Sequence, residues 1–345
     1  MKDVRMTARS DSTCSVTISV LNWNTADQTL DCVRSLLELH CPENCTVQIL
    51  VIDNGSREDD FAKLNSGLNL NNVIVHREKQ NQGFAGGHNI SIARAVAEKT
   101  DFIWLVNSDA LVESNTLALL LDEMAAHPTC GAVSPMIVAT NDDQKMDFCA
   151  NVHDWKNRSS IRATTLAEGM RLQQESPANV WVAGTAVLFR VATLAQVGPL
   201  DASLFAYYED DDIAARLSKA GWVSRTAFNA KIRHAVFEKH FDRPPHFHYL
   251  TNRNHLAFWY KYTPAPHRRL LWLRLLDQRF YDINRLYLRG LTTQADAGLL
   301  GIHDFITGRF GVPDLTRQIP FGTKLLQRFF SVTQRKALRN TPRSN

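Results

Sequence analysis

No apolar run in these 345 residues reaches the roughly 18 that a membrane-spanning helix needs, and the polar opening MKDVRMTARSDST lacks the apolar stretch of a secretory leader. The chain is therefore expected to be cytoplasmic, free or held peripherally on the inner face of the membrane. Paired cysteines are missing as well. Residues 14, 32, 41, 45, 130 and 149 form no CxxC and only Cys41 and Cys45 are close, which argues against a metal knot or a disulfide scaffold. There is no GxGxxG, no GxxxxGK followed by Ser or Thr, no GxSxG, and no His and Cys pairing that reads as a covalent hydrolase. Nicotinamide enzymes, P-loop kinases and serine or cysteine hydrolases are accordingly poor readings. Internal repeats and low-complexity tracts are absent too.

What the sequence does have is an uneven charge. Residues 265–345 carry 14 Lys and Arg against 5 Asp, a net of +9, so the first 264 residues carry −5 of the total of +4. The basic tail alternates Arg with Leu, Trp, Phe and Tyr at helical spacing, in HRRLLWLRLLDQRFYDINRLYLRG and again in TKLLQRFFSVTQRKALR. Two readings stay open for it. Such helices can lie on anionic lipid, or they can form an ordinary helical subdomain packed on the body. No nucleic-acid reading module accompanies the charge, so nucleic acid is not an expected partner.

The first half alternates strand and helix. SVTISVLNW, VQILVIDNGS, NVIVHRE, DFIWLVNSDA and CGAVSPMIV read as buried strands, with helices between them, one of them begun by Thr25. This order predicts an α/β architecture with a mostly parallel, doubly wound sheet. Residues 140–178 are polar and read as a long excursion or mobile loop. A strand-like segment interrupted by Gly184 follows (180–190), then an acidic helix, a strand ending in His234, and helix from Pro245 onward.

In an open parallel sheet, ligands bind where the carboxyl ends of strands meet the loops. Asn22 and Asn24 follow one strand, Asp53 a second, and Asn107, Ser108 and Asp109 a third, so one shared crevice is expected. A carboxylate at a strand end with an oxygen donor two residues earlier suits a hard divalent ion, Mg²⁺ or Mn²⁺, holding a diphosphate. Convergence of His234 on Asp109 would strengthen that reading and favour Mn²⁺ tolerance. NQGFAGGHN places Asn81, Gly83 and Gly87 at a strand-to-helix turn, where backbone N–H groups can approach phosphate or sugar oxygens.

FAYYEDDDIAARLSKAGW holds four carboxylates in succession, Glu209 to Asp212. One or two acids would satisfy a helix dipole; four repel one another and raise a pKa, as a general base or cation site requires. A nucleotidyltransferase would share the crevice and the metal, but its opening strand-to-helix loop is normally glycine-rich, and LNWNTADQ has no glycine.

In order, VTISVLNWN, VIDNGSRED, NQGFAGGHNISIA, WLVNSDA, VAGTAVLFR, FAYYEDDDIAARLSKAGW and KIRH resemble glycosyltransferase family 2, and within it the bacterial rhamnosyltransferase-like members, across roughly residues 15–260. The resemblance implies a GT-A catalytic domain over 13–262 followed by a helical, basic region over 263–345. It also implies a nucleoside-diphosphate sugar donor, rhamnose favoured, a glycan or lipid-linked acceptor, a divalent metal and inversion at the anomeric carbon. By motif, Asp53 would bind the donor's base or ribose, Asn107 and Asp109 would stand at the DXD position, and His234 would be the late metal ligand. Asp210 would be the base, with Glu209 as runner-up, Asp212 orienting acceptor hydroxyls and Asp211 a solvated helix residue. The motif here opens with Asn107 in place of Asp. Gly184 would admit substrate close to the backbone, Trp181 would offer a flat face to a sugar ring, and Arg253 would be available for phosphate or a surface ion pair.

Overall fold

A computed structural model of the chain describes residues 14–235, 241 and 243–334. The aliphatic and β-branched runs form β1 (Cys14–Asn22), β2 (Cys45–Asp53), β3 (Val73–Arg77) and β4 (Phe102–Asn107), paired in parallel in the order β3-β2-β1-β4. Strands buried on both faces need continuous apolar sequence rather than alternation, which is what ISV, ILVI and IWLV supply. The crossover helices are α1 (Ala26–Leu37), α2 (Glu58–Gly67) and α3 (Gly83–Glu98). Thr25 precedes α1 but does not cap it with its side chain; the Asp60 carboxylate, from α2, accepts the Ala26 N–H instead.

Beyond β4 the sheet becomes mixed. A short β5 (Ala110–Val112), α4 (Thr116–Ala126) and β6 (Cys130–Ala139) come next, yet β6 does not pair with β4. The strand β11 (Ala186–Arg190) inserts between them, antiparallel to both. The strand β12 (Val223–His234) then runs parallel to β6 and antiparallel to β5, so the sheet ends β4-β11-β6-β12-β5.

Residues 140–178, expected as an excursion, are ordered. β7 (Asp142–Phe148) folds back on β6, while β8 (Asn151–Asp154), β9 (Ser159–Arg162) and β10 (Val180–Trp181) form a small second sheet beside α5 (Leu166–Glu175). The four residues of β9 are all exposed, so no apolar alternation marked it as a strand. After α6 (Val191–Val197) comes the acidic helix α7 (Glu209–Lys219).

The C-terminal helices are α8 (Pro245–Lys261), α9 (Arg268–Leu288), α10 (Thr292–Ile306) and α11 (Phe321–Thr333). Phe258, Trp259, Leu275, Phe280, Ile283 and Leu299 of α8 to α10 form one apolar cluster that also includes Ala215 of α7, which joins the C-terminal helices to the acidic helix. Gly301 brings α10 onto α8: a Cβ there would lie 2.2 Å from the Tyr249 carbonyl oxygen. The end of the basic tail, 335–345, lies outside the described residues.

Candidate active site

The register of the parallel strands brings the expected polar ends together. Asn22 stands opposite Asp53, and Leu21 opposite Asn107. Asn22 is fully buried, and its amide donates to Asp53 Oδ1 at 2.9 Å, to Ser56 Oγ at 3.0 Å and to Asp60 Oδ2 at 3.0 Å. It therefore positions neighbouring groups and presents no surface to a ligand. Asp53 is also buried, with Oδ2 lacking a hydrogen bond and lying 3.4 Å from Arg77 Nε. A cleft of about 270 Å³ opens beside it, lined by Gly55, Ser56, Arg77, Glu78 and Lys79. Asn24 has φ of +57° and accepts the Arg57 N–H, pinning the β1 and β2 ends to each other. Between Asn22 and Asn24, Trp23 is half exposed at this rim.

The glycine-rich turn serves packing. A Cβ on Gly83 would meet the Phe205 carbonyl oxygen at 2.3 Å, and one on Gly87 would meet Leu21 at 2.4 Å, so both glycines bring α3 close to protein groups. Asn81 accepts from Asn54 Nδ2 at 3.0 Å and from the Gly83 N–H at 2.8 Å. Asn54, which sequence reasoning passed over as a turn residue, ties the end of β2 to this turn through both its amide groups.

Asp109 and His234 do meet. Pairing of β12 with β5 sets His234 opposite Ala110, and its Nε2 lies 3.2 Å from Asp109 Oδ1 and 3.4 Å from the Asn107 amide nitrogen. Asp147 stands 3.8 Å from the other ring nitrogen, which is buried without a hydrogen bond. Burial alone would hold this imidazole neutral, but the carboxylate of Asp109 and then that of Asp147 draw its pKa up to about 9. The Asp109 carboxylate, the Asn107 side chain and the His234 ring nitrogen lie within reach of one another, and with the imidazole neutral this set of oxygen and nitrogen donors fits Mg²⁺ or Mn²⁺. Among the described residues no three His, Cys, Asp or Glu side chains converge on one point, because Asp147 approaches the opposite side of the ring. The remaining ligand positions would fall to phosphate oxygens and water.

The four carboxylates of α7 have four different environments. Asp212 is buried and fully paired, by Arg216 Nε at 2.8 Å, Lys261 Nζ at 2.6 Å and the Tyr262 hydroxyl at 2.8 Å. It lines a cavity of about 690 Å³, whose wall also includes Lys261, Arg268, Trp272, Phe305 and Phe310. Asp211 is buried 2.7 Å from His153 Nε2 of β8, which corrects its expectation as a solvated helix residue. Glu209 is buried with Oε2 unbonded; burial, then the charge of Asp210, lift its pKa well above the carboxylate range. Asp210 keeps partial contact with solvent and accepts the Gly184 N–H at 3.1 Å and the Asp211 N–H at 2.9 Å. Burial, then the charge of Asp211, raise its pKa to about 6.

Two consecutive residues join the halves of the site. Gly184 donates its N–H to Asp210, and the Thr185 carbonyl accepts the N–H of Asn107 at 2.9 Å. The acidic turn and the Asn107–Asp109 turn are thus held by one stretch of backbone.

The loop that presents Asp210 is strained. Phe205, Tyr207 and Tyr208 all have positive φ, of 67°, 67° and 74°, where side chains rarely settle without outside support. That support comes from α8. The Asn254 amide nitrogen lies 2.9 Å from the Leu204 carbonyl and 2.8 Å from those of Ala206 and Tyr207. Arg253, expected to be available for phosphate or a surface ion pair, is fully buried and spends its guanidinium on the carbonyls of Leu204 and Gly311, each at 2.9 Å. Gly311 returns a hydrogen bond to the Ser203 carbonyl at 2.8 Å. The signal for this clamp was present in TNRNH, but only contact in space reveals its target. Trp181 is likewise buried, its ring facing His153 at 6.0 Å and Phe148 at 6.0 Å, so it offers no open face to a sugar.

Solved structures share this fold. The mannosyltransferase PcManGT from Pyrobaculum calidifontis, in complex with GDP-Man and Mn²⁺, superposes with a TM-score of 0.52 at 17% identity, over 94% of this chain and 81% of that one. S. aureus TarS 1-349 in complex with UDP-GlcNAc gives 0.55 at 13% identity, over 94% and 89%. The fold is that of a GT-A glycosyltransferase. The sequence matches glycosyl transferase family 2 over residues 15–180 and glycosyl transferase family group 2 over 102–293, and the chain belongs to glycosyltransferase family 2. Its curated relatives include the N-acetylglucosaminyl-diphospho-decaprenol L-rhamnosyltransferase of Mycobacterium tuberculosis, 27% identical over 58% of this chain and 70% of that protein. The galactofuranosyltransferase GlfT1 of the same organism is 25% identical over 71% and 75%.

Proposed function

We propose that the chain is an inverting glycosyltransferase that moves a sugar from a nucleoside diphosphate to a glycan or lipid-linked glycan acceptor in bacterial surface polysaccharide or cell-wall synthesis. The observation that carries this reading is Asp210, a carboxylate with its pKa near neutrality, fixed by the Gly184 N–H next to the Asn107–Asp109 turn. An acceptor hydroxyl attacks the anomeric carbon, its proton passes to an Asp210 oxygen, and the bond from that carbon to the diphosphate oxygen breaks. Such a base contributes a factor of about 10²–10⁴. Glu209 is buried while Asp210 keeps contact with solvent, so Asp210 is the carboxylate that an acceptor hydroxyl can reach.

Asp109, His234 and Asn107 would hold a divalent ion, Mg²⁺ or Mn²⁺, which when bound neutralises charge on the departing diphosphate. Asp53 and the cleft beside Arg77 would receive the nucleoside, with Asn22, Asn24, Asn81, Gly83 and Gly87 shaping its walls from behind. Asp212, Trp181 and Gly184 would act on the acceptor side by holding structure, and Asp212 also by lining the large cavity.

A rhamnosyl donor is supported by the rhamnosyltransferase relative. A uridine- or guanosine-linked hexose is the second reading, favoured by the galactofuranosyltransferase relative, whose match covers more of the chain. A lipid-linked acceptor, of the kind the rhamnosyltransferase's name describes, would bring the enzyme to the inner face of the cytoplasmic membrane through its basic C-terminal region.

The test is nucleotide diphosphate release from a panel of nucleotide sugars, with and without Mn²⁺ or Mg²⁺, by wild type and Asp210→Asn. Release from one donor, dependent on metal and lost on substitution, is the expected result. Donor binding without release from any member of the panel would instead make the chain a silent glycan-binding scaffold.

A further inference from the structure

The helix α11 is amphipathic in the inverted sense. Its inner face is mostly polar: Thr323 bonds His303 at 3.1 Å, Gln327 donates to Asn284 at 2.7 Å, Gln334 just past its end donates to Asp277 at 2.7 Å, and Phe330 alone stacks, on Phe280. Its outer face is apolar. Phe321, Leu325, Phe329 and Val332 recur at spacings of four, four and three, one stripe of a helix, and are 76%, 56%, 62% and 56% exposed. Lys324 and Arg328 are exposed along one margin of that stripe, and Arg335, Lys336, Arg339 and Arg343 follow in sequence with no acid among them.

We propose that the outer stripe of α11 docks on an anionic lipid surface, with Phe321, Leu325, Phe329 and Val332 entering the boundary between headgroups and acyl chains and Lys324 and Arg328 paired with the headgroups. Peripheral attachment belongs to the reading above; the inference narrows it from the whole basic region to one face of one helix. The other arginine-rich helix, α9, turns Leu271, Leu275, Phe280 and Ile283 into the protein core, and its exposed large apolar side chains among the described residues, Leu273 and Leu288, stand 15 positions apart. A second copy of the chain suits the surface less well. A helix of 13 residues is about 20 Å long, and one stripe of it falls short of the roughly 800 Å² per partner of a stable interface. Pairing two copies there would also bring like charges together.

Vesicle flotation of the full chain, with neither donor nor acceptor present, tests this independently of the transfer reaction. Wild type is expected to float with phosphatidylcholine–phosphatidylglycerol vesicles and to remain behind with phosphatidylcholine alone. Leu325→Glu with Phe329→Glu should lower partitioning by at least about tenfold, while Lys324→Gln with Arg328→Gln should lower it several-fold and flatten its salt dependence. Since these side chains point outward, an unchanged thermal melt shows that each variant is folded. Equal flotation of the double Glu variant and wild type would overturn the proposal, as would failure of wild type to float. A concentration-dependent dimer in light scattering, abolished by the double Glu variant without any change in flotation, would assign the stripe to a second copy.

Discussion

The two halves of the candidate active site are built by opposite means. The half that holds Asp53, Asn107, Asp109 and His234 comes from strands whose register leaves polar residues at their ends, with Asn24 as its one non-glycine residue of positive φ among the described residues. The half that holds Asp210 comes from a loop with three residues at positive φ, kept in place by α8 and by Gly311. A sheet end tolerates change one residue at a time, whereas a strained loop depends on every support it has. Comparing variants on the two sides measures that difference.

The largest effect belongs to the base. Asp210→Asn should reduce turnover by about 10²–10⁴ with donor affinity unchanged. In wild type, kcat/KM should rise with pH through an inflection near 6, since the carboxylate must lose its proton to act, and the variant should lose this limb. The same shift has a stability sign. The folded pKa of about 6 exceeds the unfolded value of about 3.9, so the charged form costs stability above pH 6. Asp210→Asn should therefore melt higher than wild type at pH 8, with the gap closing as pH falls from 6 toward 4. A variant that melts lower at pH 8 would count against a perturbed Asp210.

On the sheet side, Asp109→Ala, or removal of divalent ions by chelation, should cost about 10²-fold in turnover, and the substitution, which also removes the partner of His234, should lower the melting temperature of the ion-free protein at neutral pH. Equal activity with and without chelator would remove the metal from this pocket.

Next in size is the clamp. Asn254→Ala strands carbonyls of the strained loop and should cost about 1–3 kcal/mol of stability. It should also lower kcat more than it raises KM, because the base shifts while the nucleoside cleft is untouched. Asn254→Asp, which keeps the shape but not the donors, should behave similarly; full activity in both would show that the loop holds itself.

The smallest effect on catalysis is expected at Glu209. Glu209→Gln keeps the shape of a buried side chain that does not face solvent, so turnover should stay close to wild type, whereas a loss matching that of Asp210→Asn would exchange the two roles.

The sheet half was legible because its signals are local. Each strand is a short apolar run and each polar end follows directly, so VIDNGS and WLVNSDA announce both element and site. Even there, reading stopped at proximity: Asn22 proved to support Asp53 and Asp60 from inside, and Gly83 and Gly87 proved to accommodate Phe205 and Leu21. The insertion of β11 between β4 and β6 left no mark in the strand sequences, since either neighbour would satisfy the same apolar run. In the acidic half the sequence announced charge but not its allocation. Nothing in EDDD distinguishes Asp211, matched to a histidine 58 positions earlier, from Asp212, matched to a lysine 49 positions later.

The bond between Arg253 and Gly311 also sets an order in time. A ribosome releases this chain from its N-terminus, and the strands that carry Asp53, Asp109 and His234 are complete before Gly311 has been synthesised. The loop bearing Asp210 gains its support from Gly311 only once that residue has emerged. On the function proposed above, an unfinished chain would hold the strand-end half of its crevice while Asp210 is not yet locked in place, so competence would wait for the stretch that carries Gly311.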